Sequence, residues 1–397
     1  MIQQMKYASK RLLSLTHQYT PLLACMLVMC QAYLIAPLAP SLAKEFSSPL
    51  IELSIPMFAI AFSIAAALTA YLKVNFPMRG YLLVALGSMA AGNFLLSISQ
   101  TAGFFLLTRA LIGLGTGALL PMAILHSVCH TRKPKSLERI VPVIFALATG
   151  MTFSPSIGGW LNGVFGWRIL YQCLSILCTL LLIICLKKVQ RNVPIWTTTE
   201  KASDVKTIER TAGFIYSFSF LTGLFHSGVF VWISHYFIIQ YGLNEFEIAT
   251  ELFIFGFPGF AVSFLIHRLQ MDKKMISILY SAMGLTILGL LLLWGNFSLG
   301  LAEYLLAIIS IGFGCSQPLF VGLVKLPQGK KTLLSPAAHG TGFLFCGYGV
   351  GPLVMFALLS IDTSTGLLFL ILTVIALAYI SLRVWRKNLN PASSAFI

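Results

Sequence analysis

The chain has 397 residues, of which 57% are hydrophobic and only 10% charged, with a formal net charge of +15. A soluble domain of that length carries roughly a quarter charged residues, so the composition excludes a soluble enzyme or a nucleic-acid-binding module and indicates a polytopic membrane protein. The positive charge does not call for a basic ligand, because it sits in short loops between apolar runs, where it encodes orientation.

A membrane span needs about 20 apolar residues. Twelve such runs follow in chain order, near residues 20–41, 51–72, 80–98, 102–126, 139–163, 167–187, 212–237, 247–268, 275–296, 299–323, 335–360 and 364–385. Lys6, Lys10 and Arg11 precede the first run, which lacks a small-residue cleavage site and reads as the first helix. The longest polar connection lies between runs six and seven. It divides the chain into an N-terminal six-helix bundle (residues 1–186), a cytoplasmic linker (187–211) and a C-terminal six-helix bundle (212–397). The expected fold is all-α: twelve transmembrane helices in two pseudo-symmetric bundles.

Orientation follows from the cations. Place the termini and the even-to-odd loops on one side. Of the 27 Lys and Arg residues, only Lys44 and Arg168 then fall on the other side, and only Arg109 lies within the membrane. This asymmetry predicts cytoplasmic termini. The expected setting is a cytoplasmic (inner) membrane, with a monomer in the lipid bilayer.

The fourth run, "LTRALIGLGTGALLP", spaces Arg109, Gly113, Gly117 and Pro121 by four, which puts them on one helix face. Gly113 and Gly117 form a step that lets a neighbouring helix approach closely. On the fifth run Gly150, Ser154 and Gly158 repeat the device, and Pro155 and Gly159 can bend the helix. An intramembrane cation defaults to a functional role. The acceptors open to Arg109 are backbone carbonyls freed by bends, Gln31 on the first run, or a substrate carboxylate.

A proton-coupled carrier needs a titratable group within the membrane. His226, deep in the seventh run, is one candidate. Glu251 and Glu303, in the outer turns of runs eight and ten, are the others. The seventh run also offers Tyr216 and Phe220 as an aromatic lining beside His226. Gln317 is an internal polar residue of the tenth. Arg109, Gln31, Tyr216, Phe220, His226 and Gln317 are therefore the candidate substrate-binding residues. No phosphate loop, metal-ligand cluster or nucleophile triad is present, so neither an enzyme, a metal nor a cofactor is expected.

Several segments together resemble the major facilitator superfamily, and most closely its twelve-span drug:proton antiporter branch, including the bicyclomycin-resistance type. They are "LTRALIGLGTG" (107–117), "GMTFSPSIGGW" (150–160), "FGWRILY" (165–171), "APLAP" (36–40), which matches the proline pair ending span one, and "WISHYFIIQYGL" (232–243). The loop "AYLKVNFPMRG" (70–80) departs from the pattern: Ala70, Val74 and Pro77 replace the glycine, aspartate and second glycine, leaving Lys73 and Arg79 as the gating-loop residues. The resemblance implies alternating access between two halves around a small-molecule substrate, driven by a proton gradient. The leading expectation is export of a small amphipathic or anionic organic compound. A proton-linked uptake carrier is the second reading, and a non-transporting sensor of the same fold the third.

Overall fold

The computed structural model describes residues 19–72, 77–130, 136–188, 203–268, 275–295, 297–323 and 330–389. The described residues are helical throughout, with no strand. Span one is a bent pair, α1 (Tyr19–Tyr33) and α2 (Ile35–Phe46), which meet at 44°. A short 3-10 helix, Pro49–Leu53, leads into α3 (Ser54–Leu72), followed by α4 (Met78–Ser97). Span four is divided into α5 (Ala102–Thr116) and α6 (Leu119–His130). Next come α7 (Ser136–Phe165), α8 (Trp167–Lys188), α9 (Ser203–Tyr241) and α10 (Glu245–Arg268). The chain closes with α11 (Met275–Leu292), α12 (Leu299–Leu323), α13 (Lys330–Leu359) and α14 (Thr363–Leu389).

Ten helical segments are long and apolar enough to cross a membrane, and the bent pair makes an eleventh. Among the described residues Ile276–Leu292 is a further apolar helix, shorter than these, at the place of the expected ninth span. The end of the bundle at Tyr19 and Leu389 is the terminal end, and the opposite one the distal end.

The bends have local causes. Pro37 has no N–H to give the Tyr33 carbonyl, and its ring crowds that carbonyl, so the helix breaks at Leu34. The helix then resumes through Pro40 to Phe46, whereas the sequence reading ended span one at the "APLAP" prolines. Span four breaks at Gly117–Ala118, one turn ahead of Pro121, whose missing N–H leaves the Gly117 carbonyl free. The α7 helix, by contrast, runs unbroken through Pro142 and Pro155.

Helix ends follow capping chemistry. Asn244 caps α10: its Oδ1 accepts from the N–H groups of Phe246 (3.0 Å) and Glu247 (3.1 Å). The Glu247 carboxylate in turn accepts from the Asn244 N–H at 2.8 Å, a reciprocal capping box. Gly166 (φ 81°) and Gly242 (φ 68°) occupy the left-handed region just past α7 and α9, where a side chain would be strained.

The packing repeats between halves. In the first, α3 packs on α5 and α4 on α8; in the second, α10 packs on α12 and α11 on α14. The halves meet along α3–α13 and α7–α10. Small residues make the close contacts. A Cβ at Gly117 would lie 2.7 Å from Ala65 Cβ, and one at Gly113 would strike the Phe58 carbonyl, so α5 packs backbone-to-backbone on α3. Gly150 and Gly158 face α1 at Met26, Met29 and Leu34 in the same way. Gly159 faces Ala249 and Pro37. The expected linker is partly helical, because α9 begins at Ser203, and residues 189–202 lie outside the described residues.

Candidate functional site

A cavity of about 210 Å³ lies between the halves, midway along the helices. The first half contributes α1 (Met29, Tyr33) and α7 (Met151, Thr152), and α9, α10, α12 and α13 supply the rest. Its walls are aromatic. The His226 ring packs against Phe313 at 5.0 Å and edge-on to Tyr33 at 6.0 Å. Tyr33 in turn meets Tyr348 at 4.6 Å and Phe230 at 5.3 Å. The Tyr348 hydroxyl donates to the Ala32 carbonyl at 2.9 Å, a hydrogen bond between the halves. No charged side chain among the described residues lines the cavity.

Of the sequence-chosen binding residues, His226 lines this cavity. Arg109 does not. It is fully buried among α1, α3 and α5, where Nη1 donates to the Gln31 carbonyl (2.6 Å) and Nε to the Ser54 carbonyl (3.2 Å). Its guanidinium also covers the Phe58 ring at 4.7 Å. The Gln31 carbonyl lies beside the break at Leu34, so Arg109 fills an acceptor that the Pro37 bend exposes. Of the acceptors foreseen for Arg109, the structure brings it to backbone carbonyls. The Gln31 side-chain amide is buried, and both its polar atoms lack a partner among the described residues. Tyr216 stacks on Phe343 at 5.3 Å, and Phe220 packs against α13 at Gly347; neither lines the cavity. The Gln317 side chain and Lys73 lie outside the described residues. Arg79 donates to the Leu186 carbonyl at 2.6 Å, tying α4 to the C-terminal end of α8 within one half.

Glu251 and Glu303 come together. Glu251 on α10 is 3% exposed, its carboxyl lies within electrostatic reach of Glu303 on the neighbouring α12, and its Oε2 has no hydrogen-bond partner among the described residues. The pair is joined to the cavity by helix geometry, because Glu251 lies four residues from Phe255 and Glu303 seven from Ser310, both of which line it.

The distal end holds a cluster that sequence reasoning missed. The Glu245 carboxylate on α10 accepts from Ser41 Oγ on α2 (2.5 Å) and from Asn162 Nδ2 on α7 (2.8 Å). Beside it the Trp160 indole donates to Thr250 Oγ1 at 3.2 Å, again between halves. The available signal was Asn162, an amide close to the end of an apolar run. Contacts between the halves at the terminal end are aromatic: Tyr71 on His339 (5.5 Å) and Phe145 on Phe260 (5.3 Å).

Two packed sets of apolar helices enclose a cavity midway along them and are hydrogen-bonded to each other at the distal end, the architecture of a membrane carrier. The family model described as Major Facilitator Superfamily matches residues 22–326, and the chain belongs to that superfamily of transporters. It is 31% identical over 162 residues to the uncharacterized MFS-type transporter YwfA of Bacillus subtilis (strain 168). That match spans 38% of this chain and 39% of the relative's length. Two solved structures share the fold. The human organic anion transporter MFSD10 (TETRAN) superposes with a TM-score of 0.68 at 14% identity, over 92% of this chain and 99% of that one. A bacterial homolog of the human lysosomal transporter Spinster, inward-facing and unoccupied, gives 0.67 at 14% identity, over 95% and 98%.

Proposed function

We propose that the chain is a proton-coupled exporter of a small amphipathic organic compound, with halves 1–186 and 212–397 rocking about the midplane cavity and the linker 187–211 joining them. The observation that carries this reading is the aromatic cavity between the halves together with the buried Glu251 carboxyl one turn from it, paired with the half-buried Glu303. The anionic class of substrate is set aside, because no cationic side chain among the described residues lines the cavity. The charge asymmetry of the loops supports cytoplasmic termini, a cytoplasmic-membrane setting and a distal end that faces outward.

The Glu251–Glu303 pair is the proton-carrying element. Two like charges close to each other repel, and one proton between them relieves that repulsion. His226 then acts in the binding site. Arg109 acts through α1: by holding the Gln31 carbonyl it fixes the bend that aims Tyr33 into the cavity. Gly113, Gly117, Gly150 and Gly158 form the close helix contacts, and Pro121, Ser154, Pro155 and Gly159 lie where those helices flex.

The test begins with the compound whose level in the medium depends on the chain, found by profiling a deletion strain against its parent. Inside-out vesicles with an acidic lumen accumulate that compound, a protonophore abolishes the accumulation, and Glu251→Gln uncouples it. Accumulation that ignores the protonophore overturns the coupling. Depletion of the compound from the medium by the wild-type chain makes it an uptake carrier.

A further inference from the structure

The cavity's polar atoms are few, and some are committed to the protein. Ser310 Oγ accepts from the Gly259 N–H at 2.9 Å, and Ser263 Oγ donates to the Gly259 carbonyl at 2.7 Å. Tyr348 is bonded to Ala32. Two of the buried polar atoms, Thr222 Oγ1 and His226 Nδ1, have no partner among the described residues.

Thr222 is the more telling of the two. Thr69, Thr108, Thr116, Thr286 and Thr373 each donate their hydroxyl to the carbonyl four residues back, the usual fate of a threonine in an apolar helix. Thr222, only 3% exposed, does not. A buried hydroxyl without a partner carries a desolvation penalty that a ligand atom can cancel. Thr222 and His226 are four residues apart on α9, hence on one face, and both line the cavity. A hydroxyl can donate and accept, and a neutral imidazole nitrogen does one or the other.

The walls set the shape. Phe313 and Tyr33 pack on the His226 ring at the spacings given above, Phe230 and Phe255 lie edge-on to it at 6.1 and 6.5 Å, and Phe230 meets Phe255 edge-on at 5.7 Å. Such surfaces pack flat rings by stacking and edge contact. The volume lies below the 300–1,000 Å³ usual for drug-sized ligands, so a small ring system is called for. A fixed anion would find no cation among the described lining residues, since Arg109 does not reach the cavity. A quaternary cation would suit the aromatic faces but would leave both open polar atoms unanswered.

We infer that the cavity takes an uncharged, planar aromatic compound with a neighbouring hydrogen-bond donor and acceptor on one edge, as in a lactam, and that Thr222 and His226 read that edge. This rests on the assignment of the cavity as the transport site.

Four probes of nearly one shape separate the alternatives: 2-quinolone, naphthalene, 2-naphthoate and 1-methylquinolinium. Equilibrium binding to the purified full-length protein is measured for each, with no gradient. 2-Quinolone binds at least about tenfold tighter than naphthalene, and both ions bind more weakly than 2-quinolone. Thr222→Val and His226→Phe each erase most of that advantage and leave naphthalene affinity in place, whereas Thr222→Ser keeps it. The inference is overturned if either ion binds as tightly as 2-quinolone, if 2-quinolone does not bind, or if the two variants leave its affinity unchanged. Ala148→Trp, which fills the cavity from α7, separates the two layers of the argument. If 2-quinolone binding survives it, the cavity itself is not the site. If binding is lost but the ions were preferred, only the substrate class falls.

Discussion

Removing the distal cluster should tilt the balance between the two faces of the carrier. Glu245 accepts two hydrogen bonds from the opposite half, from Ser41 at 2.5 Å and from Asn162 at 2.8 Å. A hydrogen bond to a charged group contributes about 1.5–3 kcal/mol, and because Glu245 is only half-buried the lower figure applies. These bonds exist only while the distal end is closed, so their loss acts on one state alone. Asn162→Ala should shift the ratio of distally open to closed carriers about tenfold, since 1.4 kcal/mol is a factor of ten. Glu245→Ala, which removes both bonds, should shift it about a hundredfold. Adding Asn162→Ala to Glu245→Ala should change little more, because both act through one carboxylate. Spin labels at Lys44 and Ile361, both exposed near the distal end, report the opening as a longer distance population. Native cysteines are replaced first. If Glu245→Ala leaves the distance distribution of folded protein unchanged, the cluster is not a gate.

Arg109→Lys should lower the melting temperature, because one ammonium cannot reach both the Gln31 and Ser54 carbonyls and a buried acceptor left empty costs about 1–3 kcal/mol; a melting point equal to wild type refutes the bend-holding role. Gly117→Ala should destabilise strongly, since its Cβ would lie 2.7 Å from Ala65 Cβ, whereas Gly87→Ala, with nothing within 4 Å, should change stability by less than about 0.5 kcal/mol. Chemical denaturation in detergent ranks the two, and equal effects would contradict the close packing of α5 on α3. Arg79→Ala should loosen the end of α8 at Leu186 without altering the spacing between halves, because its bond stays within the first half. Cysteine accessibility near Leu186, read beside the distance between halves, checks both parts.

The span pattern was legible because the bilayer permits so few solutions: apolar runs of fixed length and cations kept to one side. Close packing at Gly113, Gly117, Gly150 and Gly158 was legible for a similar reason, as small residues four apart have few other uses in an apolar helix. What was not legible depended on carbonyls and on partners distant in the chain. A sequence shows Arg109 as a charge without a mate, but its mates are main-chain oxygens, and every residue has one. The "APLAP" prolines were read as the end of span one, yet the helix breaks at Leu34 and resumes, and span four breaks at Gly117 ahead of Pro121, because a proline disturbs the turn before it. Glu251 and Glu303 looked like two separate helix-end acids until α10 and α12 brought them within electrostatic reach of each other. Glu245 and Asn162 lie 83 positions apart and belong to different halves, so no spacing rule joins them.

The length of α9 has one more consequence. Its 39 residues make a rod of about 58 Å, nearly twice the hydrocarbon thickness of a bilayer. Nine of them, Ser203 to Thr211, precede the membrane-crossing segment Ala212–Tyr241 and project by about 13 Å at the terminal end. The same rod carries Thr222 and His226 at the cavity and packs on α13 along its length. It is thus a pointer fixed to the second half: a small tilt at the cavity becomes a larger sweep at Ser203, so a reporter placed there would read substrate-driven rocking without touching the site.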